Sequence, residues 1–242
     1  MCASGEAAML TASHRDAKGS VSALAAADRD PSETGENGLG ILETIGSVVL
    51  LKRDATLFRE GDAAECYYKV VSGAVRSCKL LADGRRHIND FFLAGDFIGV
   101  EALHTHGSTA EAVNDATVVR YERRLIDALV SRSPRVGRFL LGHVCAELSE
   151  ARSRMLLLGR MSARERLASF LLRIAGRSRR DDRDSIALPM TRSDIGDHLG
   201  LTTETVCRTF AELKSAGLIE ARSPHELRVL RRPALAALAQ GT

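Results

Sequence analysis

The stretch Leu188 to Ala216, LPMTRSDIGDHLGLTTETVCRTFAELKSA, leaves this chain few ways to fold. Ile195 and Leu199 give one short segment an apolar stripe, and Val206, Phe210 and Leu213 recur at helical spacing in the next. Gly200 lies between them, where a glycine's freedom at positive φ permits a tight turn. Thr191 stands at the N-cap position of the first helix, with Asp194 three residues on as a near capping box. Thr202 and Thr203 can cap the second helix. Gly196 falls where a side chain would collide with a crossing helix. Two short helices around a turn make a helix-turn-helix. Thr203, Glu204, Cys207 and Arg208 occupy the remaining face near the start of its second helix, where such motifs meet base edges.

Charge distribution supports this reading. The whole chain of 242 residues carries a net charge of only +3. From Arg160 to Thr242 there are 15 Lys and Arg against 10 Asp and Glu, an excess of +5, which leaves −2 for the rest. The basic excess therefore lies in the segment that holds the motif, as an approach to phosphates requires.

Upstream the texture is different. Residues 1–37 are rich in Ala, Ser, Gly, Asp and Glu, lack aliphatic periodicity, and read as a flexible tail. From Leu39 to about Val119, short β-type runs alternate with Gly and Asp punctuation, and Asp83-Gly84 marks a hairpin. Many short strands with regular turns predict a small roll or barrel over residues 38–132. A short helix is expected at Arg123 to Ser131, then a long one from Pro134 to about Leu158, assigned to a segment 133–159. Along it Leu140, Val144, Leu148, Ala151, Met155 and Leu158 are spaced 4, 4, 3, 4 and 3 residues apart, a coiled-coil-like stripe expected to pair with a second copy. A homodimer also suits a helix-turn-helix, because two-fold symmetry matches a palindromic site. In the last segment, 160–242, Ser162 and Glu165 form a capping box, Leu167, Phe170, Leu171 and Ile174 form a buried face, and LIEARSPHELRVL predicts a two-stranded wing turning near Pro224. The fold class is therefore α+β: an N-terminal β-roll of double-stranded jelly-roll type, a dimerisation helix and a C-terminal winged helix-turn-helix.

Cys2, Cys66, Cys78, Cys145 and Cys207 are scattered, odd in number and without a CxxC pair, which argues against a disulfide framework and fits a reducing compartment. No window reaches the length of a membrane span and no secretory signal is visible, so the expected location is the cytoplasm, with no membrane partner.

The order of parts resembles the CRP/FNR family of bacterial transcription regulators over residues 39–242. FLAGDFIGVEAL, residues 92–103, is similar to the family's roll segment of AGD-x-x-G type, and MSARERLASFLL, LPMTRSDIGDHLGLTTETVCRTF and ALAALA are similar to the FNR and FixK branches. The resemblance implies that Glu204 accepts from a cytosine amino group and that Arg208 donates to guanine O6 and N7, pairings that base-edge geometry favours. Cys207 stands where FNR-like proteins usually carry Ser. Thr203 is read as a cap or phosphate contact, and Arg192 and Ser193 as contacts to the DNA backbone. Its place beside Arg208 and near a helix N-terminus makes the Cys207 thiol a candidate redox switch. The implied target is a palindrome like TTGAT, four bases, ATCAA, and the implied role is activation of oxygen-responsive genes, including nitrogen fixation, through RNA polymerase. The loop from Asp83 to Arg86 is the candidate polymerase contact by family position.

The same resemblance bounds the cofactors. FNR holds an iron–sulfur cluster on an N-terminal cysteine group and one further cysteine, whereas this tail holds only Cys2, so no cluster is expected. Cyclic-nucleotide binders place a Glu and an Arg-Ser or Arg-Thr pair in the roll. Glu101 fits the first, but GSTAEA, residues 107–112, has no Arg to take a cyclic phosphate, so no cyclic nucleotide is expected either. Three alternatives remain at this point: a small effector or a haem in the roll, the haem on His87, His104 or His106; a cupin-like metalloprotein using His104, His106 and Glu111; and a non-specific DNA-packaging protein. The leading reading is not an enzyme and has no catalytic residues or metal ligands.

Overall fold

A computed structural model describes residues 45–100, 104–177, 185–223 and 225–241. The N-terminal tail, Glu101 and Pro224 lie outside these residues. Eight antiparallel strands form the first unit: β1 (Ser47–Leu51), β2 (Thr56–Phe58), β3 (Cys66–Ser72), β4 (Val75–Leu80), β5 (Arg86–Phe92), β6 (Phe97–Ile98), β7 (Thr109–Ala112) and β8 (Ala116–Glu122). They make two four-stranded sheets, ordered β1-β8-β3-β6 and β2-β7-β4-β5. Alternation along β8 shows why the chain closes into a roll. Val118 is buried between the sheets with Val70, Phe58 and Ile98, while Val119 and Tyr121 point to the opposite face. The Asp83-Gly84 turn joins β4 to β5 as expected, with Gly84 at φ 83°.

Two helices follow, α1 (Arg123–Arg132) and α2 (Pro134–Arg160). They cover the outer face of the first sheet. Ile126, with Leu129, Phe139 and Leu140, packs on Tyr67, Phe97, Val119 and Tyr121. The second sheet's outer face is covered differently. Ala74, Cys78, Ile88, Phe91 and Val113 belong to one continuous apolar cluster with Leu167, Phe170, Leu171, Ile174, Ile195 and Leu199 of the C-terminal segment. Edge strand β5, otherwise a row of unpaired backbone groups, is thereby covered.

The C-terminal segment contains α3 (Ala163–Arg177), β9 (Ser185–Ala187), α4 (Arg192–Leu199), α5 (Thr203–Ser215), β10 (Ile219–Ser223), β11 (Glu226–Val229) and α6 (Arg232–Ala239). The wing is a three-stranded sheet of order β10-β11-β9, not a two-stranded one. The added strand pairs Ile186 with Leu227 and Ser185 with Arg228. Three residues beside an acidic and basic run have too little periodicity to announce a strand, and only the β11 edge recruits them.

Candidate nucleic-acid interface

The helix-turn-helix is built by local chemistry. Thr191 accepts from the Asp194 backbone N–H, and the Asp194 carboxylate accepts from the Thr191 N–H, which closes the capping box of α4. Gly200 ends α4 at φ 64° and ψ 40°, the left-handed conformation the turn needs. Gly196 is indeed confined, but by the turn: a Cβ there would lie 2.6 Å from the Leu201 carbonyl oxygen. The Thr202 hydroxyl accepts from the Thr205 N–H and starts α5. Val206, Phe210 and Leu213 are buried beneath it, so the opposite face is left to solvent.

On that face Thr203, Glu204, Cys207 and Arg208 are all exposed. The Arg208 side chain is 69% exposed, and its Nε is 3.9 Å from Glu212, one turn on. Such a loose surface pair stabilises little, so the guanidinium is available to another acceptor. Ser193 is also exposed at the start of α4. Arg192 departs from the expected backbone contact. Its guanidinium carbon lies over the Phe210 ring, 3.5 Å from the centroid, and Nη1 is buried without a hydrogen-bond partner. Burial lowers its pKa, partly offset by nearby Cys207. In this arrangement Arg192 packs α4 on α5 rather than reaching outward.

The long helix also revises one residue. Leu140 is half-buried and packs on the roll cluster of its own chain. Its neighbour Leu141 is 61% exposed, as are Val144, Leu148 and Met155 to varying degrees. With Ala151 and Leu158 half-buried, the open stripe is Leu141, Val144, Leu148, Ala151, Met155 and Leu158. Spacings of 3 and 4 then alternate without a break, a regular heptad seam. Sequence alone could not choose between Leu140 and Leu141, because both extend the pattern.

The sensor residues do not come together as a metal site. His104 is exposed, His106 is 2% exposed and stacked on Phe58 at 3.6 Å, and Glu111 is paired with Arg76 at 2.8 Å. No group of three or more His, Cys, Asp and Glu among the described residues could hold a metal. The segment that would face a cyclic phosphate fits it poorly. Ser108 donates to or accepts from Ser77 at 2.8 Å, Ala110 and Ala112 are core residues, and the one charge is the Glu111 carboxylate. The four described cysteines, Cys66, Cys78, Cys145 and Cys207, are free.

Three sets of contacts hold the motif in place. Arg166 donates to the Leu158, Met161 and Leu199 carbonyls at 3.0, 2.9 and 2.9 Å, and so joins the ends of α2 and α4. On β5, Asp90 receives Arg173 at 2.6 Å and Arg154 at 2.7 Å. Burial would raise the Asp90 pKa, but the two arginines outweigh it and hold the carboxyl below its ordinary value. Arg177 bonds the Phe91 carbonyl and Asp96, the aspartate of the AGD segment. No helix among the described residues is long and apolar enough to cross a membrane.

Residues 165–238 match the Crp-like helix-turn-helix domain and residues 48–133 the cyclic nucleotide-binding domain. The chain is 39% identical over 198 residues to the nitrogen fixation regulation protein FixK of Azorhizobium caulinodans, covering 81% of this chain and 80% of that protein. It is 40% identical over 179 residues to the protein of the same name in Bradyrhizobium diazoefficiens, covering 73% and 76%. The structure of FixK2 from Bradyrhizobium japonicum superposes with a TM-score of 0.77 at 39% identity, covering 80% of this chain and 97% of that one. Two matched domains in this order, an open recognition face and relatives aligned over most of their length make this chain a member of the CRP/FNR family of transcription regulators.

Proposed function

We infer that the protein is a FixK-like, sequence-specific activator that binds DNA as a homodimer without a resident cofactor. The observation that carries this reading is the exposed pair Glu204 and Arg208, one helical turn apart on a helix whose other face is core. Glu204 takes a cytosine amino group, and Arg208 makes a bidentate contact to guanine. Ser193 and Thr203 fix the register through phosphates. Two copies joined along Leu141, Val144, Leu148, Ala151, Met155 and Leu158 present two such helices to a palindrome like TTGAT, four bases, ATCAA. The cytoplasm is the compartment for this work, and no chemical step is catalysed. The exposed tip Asp83 to Arg85 is the surface offered to RNA polymerase; Arg86 is engaged elsewhere in the subunit. Relatives named for nitrogen fixation support targets in oxygen-responsive metabolism.

The test is a binding titration on the palindrome and on a scrambled duplex, at several salt concentrations and without added ligand. Preference for the palindrome by about 10³-fold or more is expected. Arg208→Ala should cost about 1–3 kcal/mol on the palindrome and little on scrambled DNA. Equal affinity of the wild type for both duplexes would leave a non-specific DNA binder.

A further inference from the structure

The strongest polar contacts outside the recognition face run between the roll and α4. Arg86, the first residue of β5, places Nη2 2.6 Å from Asp194 Oδ1 and Nε 2.9 Å from Asp197 Oδ2. Behind it Arg76 of β4 lies 3.4 Å from the same Asp194 oxygen and anchors its own fork on Asp54 at 3.0 Å and Glu111 at 2.8 Å. The Asp194 side chain is only 4% exposed. Its two oxygens do different work: Oδ2 takes the Thr191 N–H and hydroxyl at 3.0 and 2.8 Å, while Oδ1 receives the roll arginines. At the other end of α4, the His198 ring bonds the Ile88 carbonyl of β5 through Nδ1 at 3.0 Å. The first helix of the motif is therefore held at both ends by one strand of the roll. Buried charge pairs of this kind add little stability over apolar packing, but they restrict geometry, since rotation of α4 would strand a charge away from water. With these contacts made, Glu204 and Arg208 face solvent.

We propose that Arg86, backed by Arg76, is a positioning residue for operator binding. It touches no DNA, and acts through Asp194 and Asp197 to hold the motif in the one orientation from which two subunits reach both half-sites. This rests on the dimeric, palindrome-reading function inferred above. The second half-site is bound at an effective concentration set by how tightly the second motif is oriented, so loosening α4 weakens the palindrome and spares a single half-site.

The experiment uses the full chain and three duplexes: palindrome, single half-site and scrambled. Arg86→Ala should weaken the palindrome by about tenfold, in the usual range of coupling between sites, and the half-site by less than about twofold. The salt slope should stay unchanged, because no phosphate contact is lost. Asp197→Asn, a milder change that leaves the capping box intact, should act in the same direction by about threefold, and Arg86→Lys should recover part of the loss. Lys52→Ala, on an exposed turn of the roll where its ammonium lies 2.7 Å from Asp115, is the control expected to bind as the wild type does. Palindrome binding by Arg86→Ala and Asp197→Asn within about twofold of the wild type would overturn the proposal. So would an equal loss on palindrome and half-site with a salt slope reduced by about one, which would make Arg86 a phosphate contact. If Arg86→Ala does not fold, Asp197→Asn decides by the same criteria. A wild type that does not prefer the palindrome would overturn the DNA-reading function itself, and is visible before any variant is made.

Discussion

His198 shows how far a residue's role can depend on distant chain. Its Nδ1 donates to the Ile88 carbonyl, and its Nε2 receives Arg173 at 2.8 Å, so both ring nitrogens are used by the neutral imidazole. Burial, with Arg173 close by, pushes its pKa down to about 4. The folded protein therefore binds fewer protons here than the unfolded chain, whose histidines titrate near 6.5. Stability contributed by this site is complete above about pH 6.5 and is lost as pH falls toward about 4, a loss of about 2 kcal/mol by pH 5. Denaturant unfolding at pH 7 and pH 5 should show a larger drop for the wild type than for His198→Asn, which keeps a donor but does not titrate. Equal drops would remove His198 as the cause. From the sequence His198 is one polar residue in a short helix, since the carbonyl and guanidinium that define it lie 110 and 25 residues away. Arg192 was illegible for the same reason: its place at the start of α4 suggests a phosphate contact, and only the approach of Phe210 turns it inward.

Among the elements, helices with strong local grammar were readable almost residue by residue. The capping residues Ser162, Thr191 and Thr202 act where they were expected to act. The long helix was readable in extent but not in phase. A one-residue shift rotates the stripe by about 100°, and only the packing of Phe139 and Leu140 on Phe97 and Tyr121 decides which leucine stays exposed. The two neighbours should separate cleanly under mutation. Leu141→Glu should leave the subunit folded and shift sedimentation from dimer to monomer at micromolar concentration, because it places a charge in an apolar seam. Leu140→Ala should keep the dimer and lower stability by about 1–2 kcal/mol, part of the cost of a fully buried leucine. The reverse pattern would place Leu140, not Leu141, in the seam.

In the whole molecule, the roll and the DNA-binding segment share apolar surface as well as charge. Ile88 and Phe91 of the roll are fully buried in the cluster that contains Phe170, Ile195 and Leu199. Exposing either side alone would open this surface to water, so the two should unfold together. All three tyrosines, Tyr67, Tyr68 and Tyr121, lie in the roll and there is no Trp. Tyrosine fluorescence therefore reports the roll, while far-ultraviolet circular dichroism near 222 nm is dominated by α2 to α6. Coincident thermal transitions by the two probes are expected, and two separated transitions would show that the shared core does not couple the parts.

Sequence by itself determined the helix-turn-helix, its caps, the exposed face of its second helix, the long helix and the roll's strand-rich character. These follow from short-range periodicity and hydrogen bonds between residues three or four apart, which any sufficiently regular stretch displays. Tertiary structure decided which leucine continues the exposed stripe of α2, where Arg192 points, that a third strand completes the wing, and that β5 grips α4 through Arg86 and Ile88 and holds α2 and α3 through Asp90. Those outcomes depend on pairs separated by tens to more than a hundred residues, such as Arg86 with Asp194. Local pattern carries no record of such pairs, because a charge or an apolar side chain acquires its partner only when the chain has closed.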